Sequence, residues 1–159
     1  MCALPFSTVK DRIESALREA EAALNEPSQQ FTECTVREFY DYLTGETFSG
    51  DKTTLTDILD SPYLMVHEVV EISELKKLGV SIGVETVMTA SKENVYGSHF
   101  KAMVKEIDFA LSRGDVQWVQ TRVHHHFNVL TDDEFLPESL RGEAEAIYEK
   151  YRDYHLEKV

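Results

Sequence analysis

Cysteine is scarce in this chain, with only Cys2 and Cys34 among 159 residues. The two do not form a Cys-x-x-Cys pair, so they offer neither a zinc knuckle nor a disulfide framework. So few cysteines in a chain of this size are typical of a reducing compartment, which predicts an intracellular protein.

Basic residues are also in short supply. Sixteen Lys and Arg stand against 29 Asp and Glu, which gives a formal net charge of −13 and a pI near 4.8. At long range this charge repels phosphate backbones and anionic lipid surfaces. We therefore expect neither a nucleic acid nor a membrane as a partner.

Long apolar runs are missing. No stretch approaches the roughly 18 apolar residues that a membrane-spanning helix needs, and the first residues lack the basic segment of a secretory signal. These absences predict a soluble, cytoplasmic protein. A glycine-rich phosphate loop and a G-x-S-x-G motif are absent as well, which argues against P-loop enzymes and serine hydrolases.

The composition that remains is that of an ordinary folded domain. Hydrophobic residues make up 42% of the chain and charged residues 28%, a mixture far from that of disordered proteins. A chain of this length can bury a sizeable core. We predict a single domain over residues 1–159.

Apolar residues recur at three- and four-residue spacing, the period of an amphipathic helix. The pattern predicts helices over 7–26, 35–45, 62–78, 91–112 and 137–156, with one helical turn at 55–59. Residues with capping potential mark most of the starts, including Ser7, Thr35, Ser61, Ser91 and Asp115. Gly79 is placed to end the helix that begins at Pro62.

Two segments are ambiguous. Residues 80–90 fit either a buried helix or a short strand, and we favour the helix. Residues 116–130 alternate as a strand would, but they also present a helical apolar face, and the short turn at 113–115 favours an antiparallel helix pair. The whole is predicted to be an all-α bundle of about five to seven helices, largely antiparallel neighbours. Such bundles commonly dimerise, so a homodimer is an alternative to a monomer.

The predicted helix 62–78 carries two acidic residues on its apolar face. Glu68 and Glu71 fall between Leu64 and Leu75 at about 100° per residue. A carboxylate buried there must be protonated, paired with a cation or bound to a metal. Because a Glu-x-x-Glu pair directs both groups toward one point, it suits a divalent cation. His67 lies beside this pair and is predicted to act as an acid or base.

The predicted helix 91–112 has a similar irregularity, since His99 and Glu106 share an edge of its apolar face. We therefore predict a metal site between the two helices with the ligands Glu68, Glu71, His99 and Glu106. Oxygen-rich ligation with one histidine suits Mg²⁺, Mn²⁺ or Fe²⁺ better than Zn²⁺. His126 is a weaker candidate, because a histidine on an apolar face is more often part of the core.

Several metal motifs are only partly matched. His67-Glu68-x-x-Glu71 begins like the zincin pattern H-E-x-x-H, but Glu71 replaces the second histidine, which argues against a metalloprotease. The Glu-x-x-His repeat of ferritin-like di-iron proteins is absent. Over about ten residues the Glu68-x-x-Glu71 pair resembles the all-α nucleoside-triphosphate pyrophosphohydrolases, a likeness that implies magnesium and a nucleotide substrate. The chain departs from that family where Glu106 is followed by Asp108 at spacing two.

These features lead to two functional hypotheses. The first is metal-assisted hydrolysis of a small phosphorylated or nucleotide substrate, in which the metal polarises a phosphoryl oxygen and activates water. The alternative is a non-enzymatic helical interaction or oligomerisation protein with a buried His/Glu/Arg network. Five arginines are available to such a network: Arg12, Arg37, Arg113, Arg122 and Arg141.

Overall fold

The structure is a computed structural model that describes residues 4–24, 33–48 and 53–156. Over these residues it is all-α, as predicted, with eight helices and no strand. The count exceeds the predicted five to seven because two of the helices, α3 and α5, have only five and four residues. The helices are α1 (Phe6–Ala23), α2 (Val36–Leu43), α3 (Leu55–Leu59), α4 (Pro62–Lys77), α5 (Thr86–Thr89), α6 (Lys92–Ser112), α7 (Val116–Asp132) and α8 (Arg141–Tyr151).

Four predicted helix starts are confirmed by side-chain caps. At the start of α2, Thr35 and Glu38 form a reciprocal capping box, with bonds of 3.1 and 2.9 Å. Single side chains cap the other three starts, namely Ser61 for α4, Ser91 for α6 and Asp115 for α7. The predicted end of α4 is also confirmed, because Gly79 has a φ of 82° just past the helix.

The predicted ends of the first and last helices were less accurate. Helix α1 begins at Phe6 rather than after a Ser7 cap, because the Pro5 carbonyl accepts the first bond, from the Thr8 amide at 3.0 Å. It ends at Ala23, and the predicted end near Glu26 lies outside the described residues. The last predicted helix is shorter than 137–156: α8 is flanked by 3₁₀ turns at Glu138–Leu140 and Arg152–Tyr154.

The two ambiguous segments resolve differently. Residues 116–130 are helical, as predicted, within α7. The helix favoured for 80–90 is wrong except for the turn α5. The reason is local, because the Thr86 hydroxyl accepts the Gly83 amide at 2.7 Å and donates to the Ser81 carbonyl at 2.8 Å. These bonds close a turn where a longer helix would need its own ladder.

The core consists of two apolar clusters on either side of one helix pair. The first is built mainly from α1, α2, α3 and α4, and the second mainly from α6, α7 and α8. Helices α4 and α6 make the most extensive contact in the fold and join the two clusters. Buried polar side chains lie at this junction, among them His67, Glu71 and Glu106. In the described part of the chain, no helix combines the length and the apolar character needed to cross a membrane.

Candidate metal centre

Three side chains bring ligand atoms together between α4 and α6. The atoms are His67 Nε2, His99 Nδ1 and Glu71 Oε1. The two nitrogens are 3.1 Å apart, and the Glu71 oxygen lies 3.8 Å from His67 and 3.3 Å from His99. A point equidistant from the three atoms lies about 2 Å from each, which is the length of a bond from a transition metal to nitrogen or oxygen.

His67 is oriented by a buried carboxylate behind it. Its Nδ1–H donates to Glu106 Oε1 at 2.8 Å, so the Nε2 side of the ring faces His99 and Glu71. Histidine ligands of metals are usually fixed by such a bond from the second ring nitrogen to a carboxylate or carbonyl. Glu106 therefore supports the His67 ring and sets its direction.

Glu106 itself is fully occupied by neighbours. Arg122 contacts both oxygens of the carboxylate: Nη2 donates to Oε1 at 3.1 Å, and Nε lies 2.7 Å from Oε2. The Trp118 indole N–H donates to Oε2 at 2.7 Å. With the His67 bond included, this fully buried carboxylate has four close contacts. The structure thus does not bring Glu106 into the group of converging ligand atoms.

The hydrogen bonds control the charge states of these groups. Burial lowers the pKa of the His67 imidazole, but the hydrogen bond to Glu106 and the nearby Glu71 carboxylate outweigh burial and raise the pKa from 6.5 to about 10. Burial raises the pKa of Glu71, while the neighbouring His67 and His99 rings hold it well below 4.5. The metal-free cluster at neutral pH therefore holds an imidazolium between two carboxylates, and a metal must displace its proton.

Tyr42 fixes the other oxygen of Glu71. The phenol donates to Oε2 at 3.0 Å and leaves Oε1 facing the two histidines. Burial and then the negative charges of Glu71 and Glu68 raise the pKa of Tyr42 well above 10. The phenol therefore remains protonated and continues to donate.

The cluster forms part of the wall of a cavity of about 390 Å³, which lies within the size range of small-molecule sites. The side chain of His67 is only 3% exposed, whereas that of His99 is 31% exposed, so the cluster is approached from the His99 side. Glu68 lines the same cavity but is not part of the group formed by His67, Glu71 and His99.

The remaining candidate histidine has a structural position. His126 is buried, and its Nε2–H donates to the Ala144 carbonyl at 2.7 Å, which ties α7 to α8. Burial lowers its pKa, so the ring stays neutral at physiological pH. It contributes no atom to the cluster.

Sequence reasoning did not single out Trp118 or Tyr42, and it left Arg122 among five candidate arginines. One signal was available. Trp118 and Arg122 are four residues apart on α7, so they share a face one turn apart. A tryptophan and an arginine on the same helical face form a donor pair for a buried carboxylate, as they do for Glu106.

Comparisons of this chain with models of protein families, with curated proteins and with solved structures find no match.

Proposed function

We propose that the protein binds one divalent transition-metal ion through His67, Glu71 and His99 and uses it to hydrolyse a small molecule. The observation that carries this proposal is the convergence of three ligand atoms around one point, next to a cavity. The support of His67 by Glu106 strengthens it, because a purely structural histidine needs no second group at Nε2.

The donor set favours certain metals. Two imidazoles and one carboxylate suit Mn²⁺, Fe²⁺ or Zn²⁺, whereas Mg²⁺ prefers oxygen ligands throughout. Three protein ligands would leave coordination positions for water and substrate, and all three residues line the cavity. The sequence predicted Mg²⁺, Mn²⁺ or Fe²⁺ in preference to Zn²⁺. This proposal keeps Mn²⁺ and Fe²⁺, drops Mg²⁺ and adds Zn²⁺, because two of the three ligands are now histidines.

The hydrolytic step assigns different roles to two neighbouring residues. A bound metal lowers the pKa of its water and so supplies hydroxide at neutral pH. His67, as a ligand through Nε2 and a donor through Nδ1, has no nitrogen left for acid–base work. Glu68 lines the cavity at the position that the general base holds in the H-E-x-x-H pattern. We assign the role of base to Glu68.

A second candidate function is the non-enzymatic one, in which the buried charges only hold the helices together. The two-point grip of Arg122 on Glu106 favours it, because a buried carboxylate paired in this way needs no metal. The two candidates differ in what His67, Glu71 and His99 do.

Metal titration distinguishes them. Protein stripped with a chelator is titrated with Mn²⁺, Fe²⁺ under argon and Zn²⁺ in a calorimeter, and its melting temperature is recorded with and without each ion. The proposal predicts one ion per chain and a higher melting temperature, since a ligand that binds only the folded state stabilises it.

Matched variants locate the ion. Glu71→Gln is expected to weaken metal binding by more than about tenfold. Glu74→Gln should bind the ion as the wild type does, because Glu74, three residues later on α4, is paired with Lys77 and Lys101. His99→Gln should likewise lose the ion, and His124→Gln should retain it. Equal binding by all four variants, or none by the wild type, would favour the structural network.

A further inference from the structure

The charges around the cavity bear on the substrate. Among the residues that the structure describes, three carboxylates line it, those of Glu68, Glu71 and Asp133. Arg122 is the one Lys or Arg side chain among the described residues of its wall, and its charge is already matched by Glu106. Even with a divalent ion bound, the part of the wall that the structure describes has no surplus positive charge to offer a phosphate. The predicted phosphorylated or nucleotide substrate therefore has little to bind to here.

The rest of the wall is mostly apolar. Six helices, α2 to α7, each contribute one aliphatic side chain to it, and such side chains suit an alkyl or other uncharged body of a ligand. The residues are Leu43, Ile58, Leu64, Val87, Val95 and Val129.

Asp133 lies away from the metal-ligand atoms. The Tyr96 phenol donates to Asp133 Oδ2 at 2.7 Å, and the Phe135 amide donates to Oδ1 at 2.8 Å. Tyr96 precedes His99 by three residues on α6, which is about 4.5 Å along the helix. The Asp133 carboxylate is thus held in place at the Tyr96 hydroxyl, in the wall of the same cavity as the proposed metal ligands, with lone pairs left for a further donor.

From this placement we propose that the substrate is a small amine: an apolar body with a protonated amino group that binds at Asp133 while the hydrolysed bond lies at the metal. The reaction in this inference rests on the proposed function, whereas the preference for a cation over an anion depends only on the cavity wall. An ammonium group matches both the charge and the acceptor atoms of Asp133.

The test uses ligands that differ only at one end. In metal-loaded protein, 6-aminohexanohydroxamate, heptanohydroxamate and adipate monohydroxamate share a metal-binding group and end in a cation, a methyl group and an anion. We expect the cationic ligand to bind at least about tenfold more tightly than the anionic one, with the affinity of the neutral ligand between them.

A second experiment uses metal-free protein. Pentylammonium should shift the NMR signals of residues lining the cavity at lower concentration than pentanesulfonate does.

Variants at neighbouring aspartates identify the group. Asp133→Asn should remove most of the advantage of the cationic ligand and leave the neutral one unchanged. Asp132→Asn is the control, because Asp132 is exposed and does not line the cavity. If Asp133→Asn fails to fold, Tyr96→Phe is the second variant, because it removes the hydroxyl that holds Asp133. It should weaken binding of the cationic ligand and leave binding of the neutral ligand unchanged.

The outcomes separate the two proposals. Tighter or equal binding of the anionic ligands, or identical behaviour of the two aspartate variants, overturns the amine assignment. Absence of metal and of hydroxamate binding overturns the proposed hydrolysis, while the pentylammonium comparison still decides the charge preference of the cavity.

Discussion

Glu106 links three helices through one carboxylate. It lies on α6, holds His67 on α4, and is held by Trp118 and Arg122 on α7. A charge that is fully buried and gripped at both oxygens contributes strongly only while every partner is present. The residue therefore serves both the fold and the orientation of a proposed metal ligand.

Replacing Glu106 by Gln tests both roles. The change leaves the Arg122 cation buried without its counter-charge, which should lower the free energy of unfolding by about 3 kcal/mol. Metal affinity should also fall, by about 10- to 100-fold, because the His67 ring loses the carboxylate that orients it. Urea denaturation of the metal-free protein and calorimetric titration measure the two effects. Glu74→Gln, at a partly exposed ion pair, should change stability by less than about 1 kcal/mol, and an equal loss in both variants would contradict this account.

At the level of residues, the sequence was most informative about α4. An acid within an apolar stripe is visible from spacing alone, and Glu71 is indeed buried. What spacing could not reveal is which acid meets which cation. Glu106 pairs with an arginine 16 residues later, across the turn between α6 and α7. That pairing depends on the crossing of two helices, and no local pattern encodes it.

At the level of elements, the two ends of α4 are set by different chemistry. Ser61 caps the first turn with its hydroxyl and Pro62 occupies the first helical position. Past the last turn, Gly79 adopts a φ of 82°, which residues with a Cβ rarely adopt. These local signals made the helix boundaries predictable. Residues 80–90 have no comparable signal. Their turn is closed by hydrogen bonds of the Thr86 hydroxyl to Ser81 and Gly83, and the spacing of hydrophobic residues does not reveal such bonds.

Substitutions at two glycines distinguish the effect of backbone strain from the effect of steric crowding. A Cβ added at either Gly79 or Gly97 meets no atom within 4 Å, but only Gly79 has a positive φ. Gly79→Ala should therefore destabilise the protein by about 1 kcal/mol. Gly97→Ala, inside α6, should stabilise it by roughly 0.5–1 kcal/mol because alanine favours the helix. Thermal melts of the two variants against the wild type make the comparison, and a shift of the same sign in both would show that backbone conformation is not the cause.

For the molecule as a whole, the buried cluster makes stability depend on pH. His67 has a pKa of about 10 in the folded state and 6.5 as its ordinary value. Above pH 6.5 the folded state therefore binds more protons than the unfolded state, and its stability falls as pH rises toward 10. The low pKa of Glu71 has the opposite consequence, because its contribution is lost as pH falls below about 4.5.

We accordingly expect metal-free protein to be most stable near pH 5–6.5 and to lose on the order of a few kcal/mol by pH 9.5. Urea midpoints at pH 6, 8 and 9.5 measure the decline. A His67→Gln variant should be less stable than the wild type at pH 6 and should show a much shallower decline. A wild-type midpoint that stays constant from pH 6 to 9.5 would refute the assignment of the bound proton to His67.

The bonds around His67 have a consequence for how the proposed metal centre would bind and release its ion. In the metal-free chain the proton on His67 Nε2 points into the triangle formed with His99 and Glu71. This positive charge occupies the space that the metal cation would take. Metal binding would then exchange the proton for a metal ion among three side chains that are already in position, so no folding step would be needed. Mild acid would reverse the exchange, so a single sample could be emptied and refilled repeatedly.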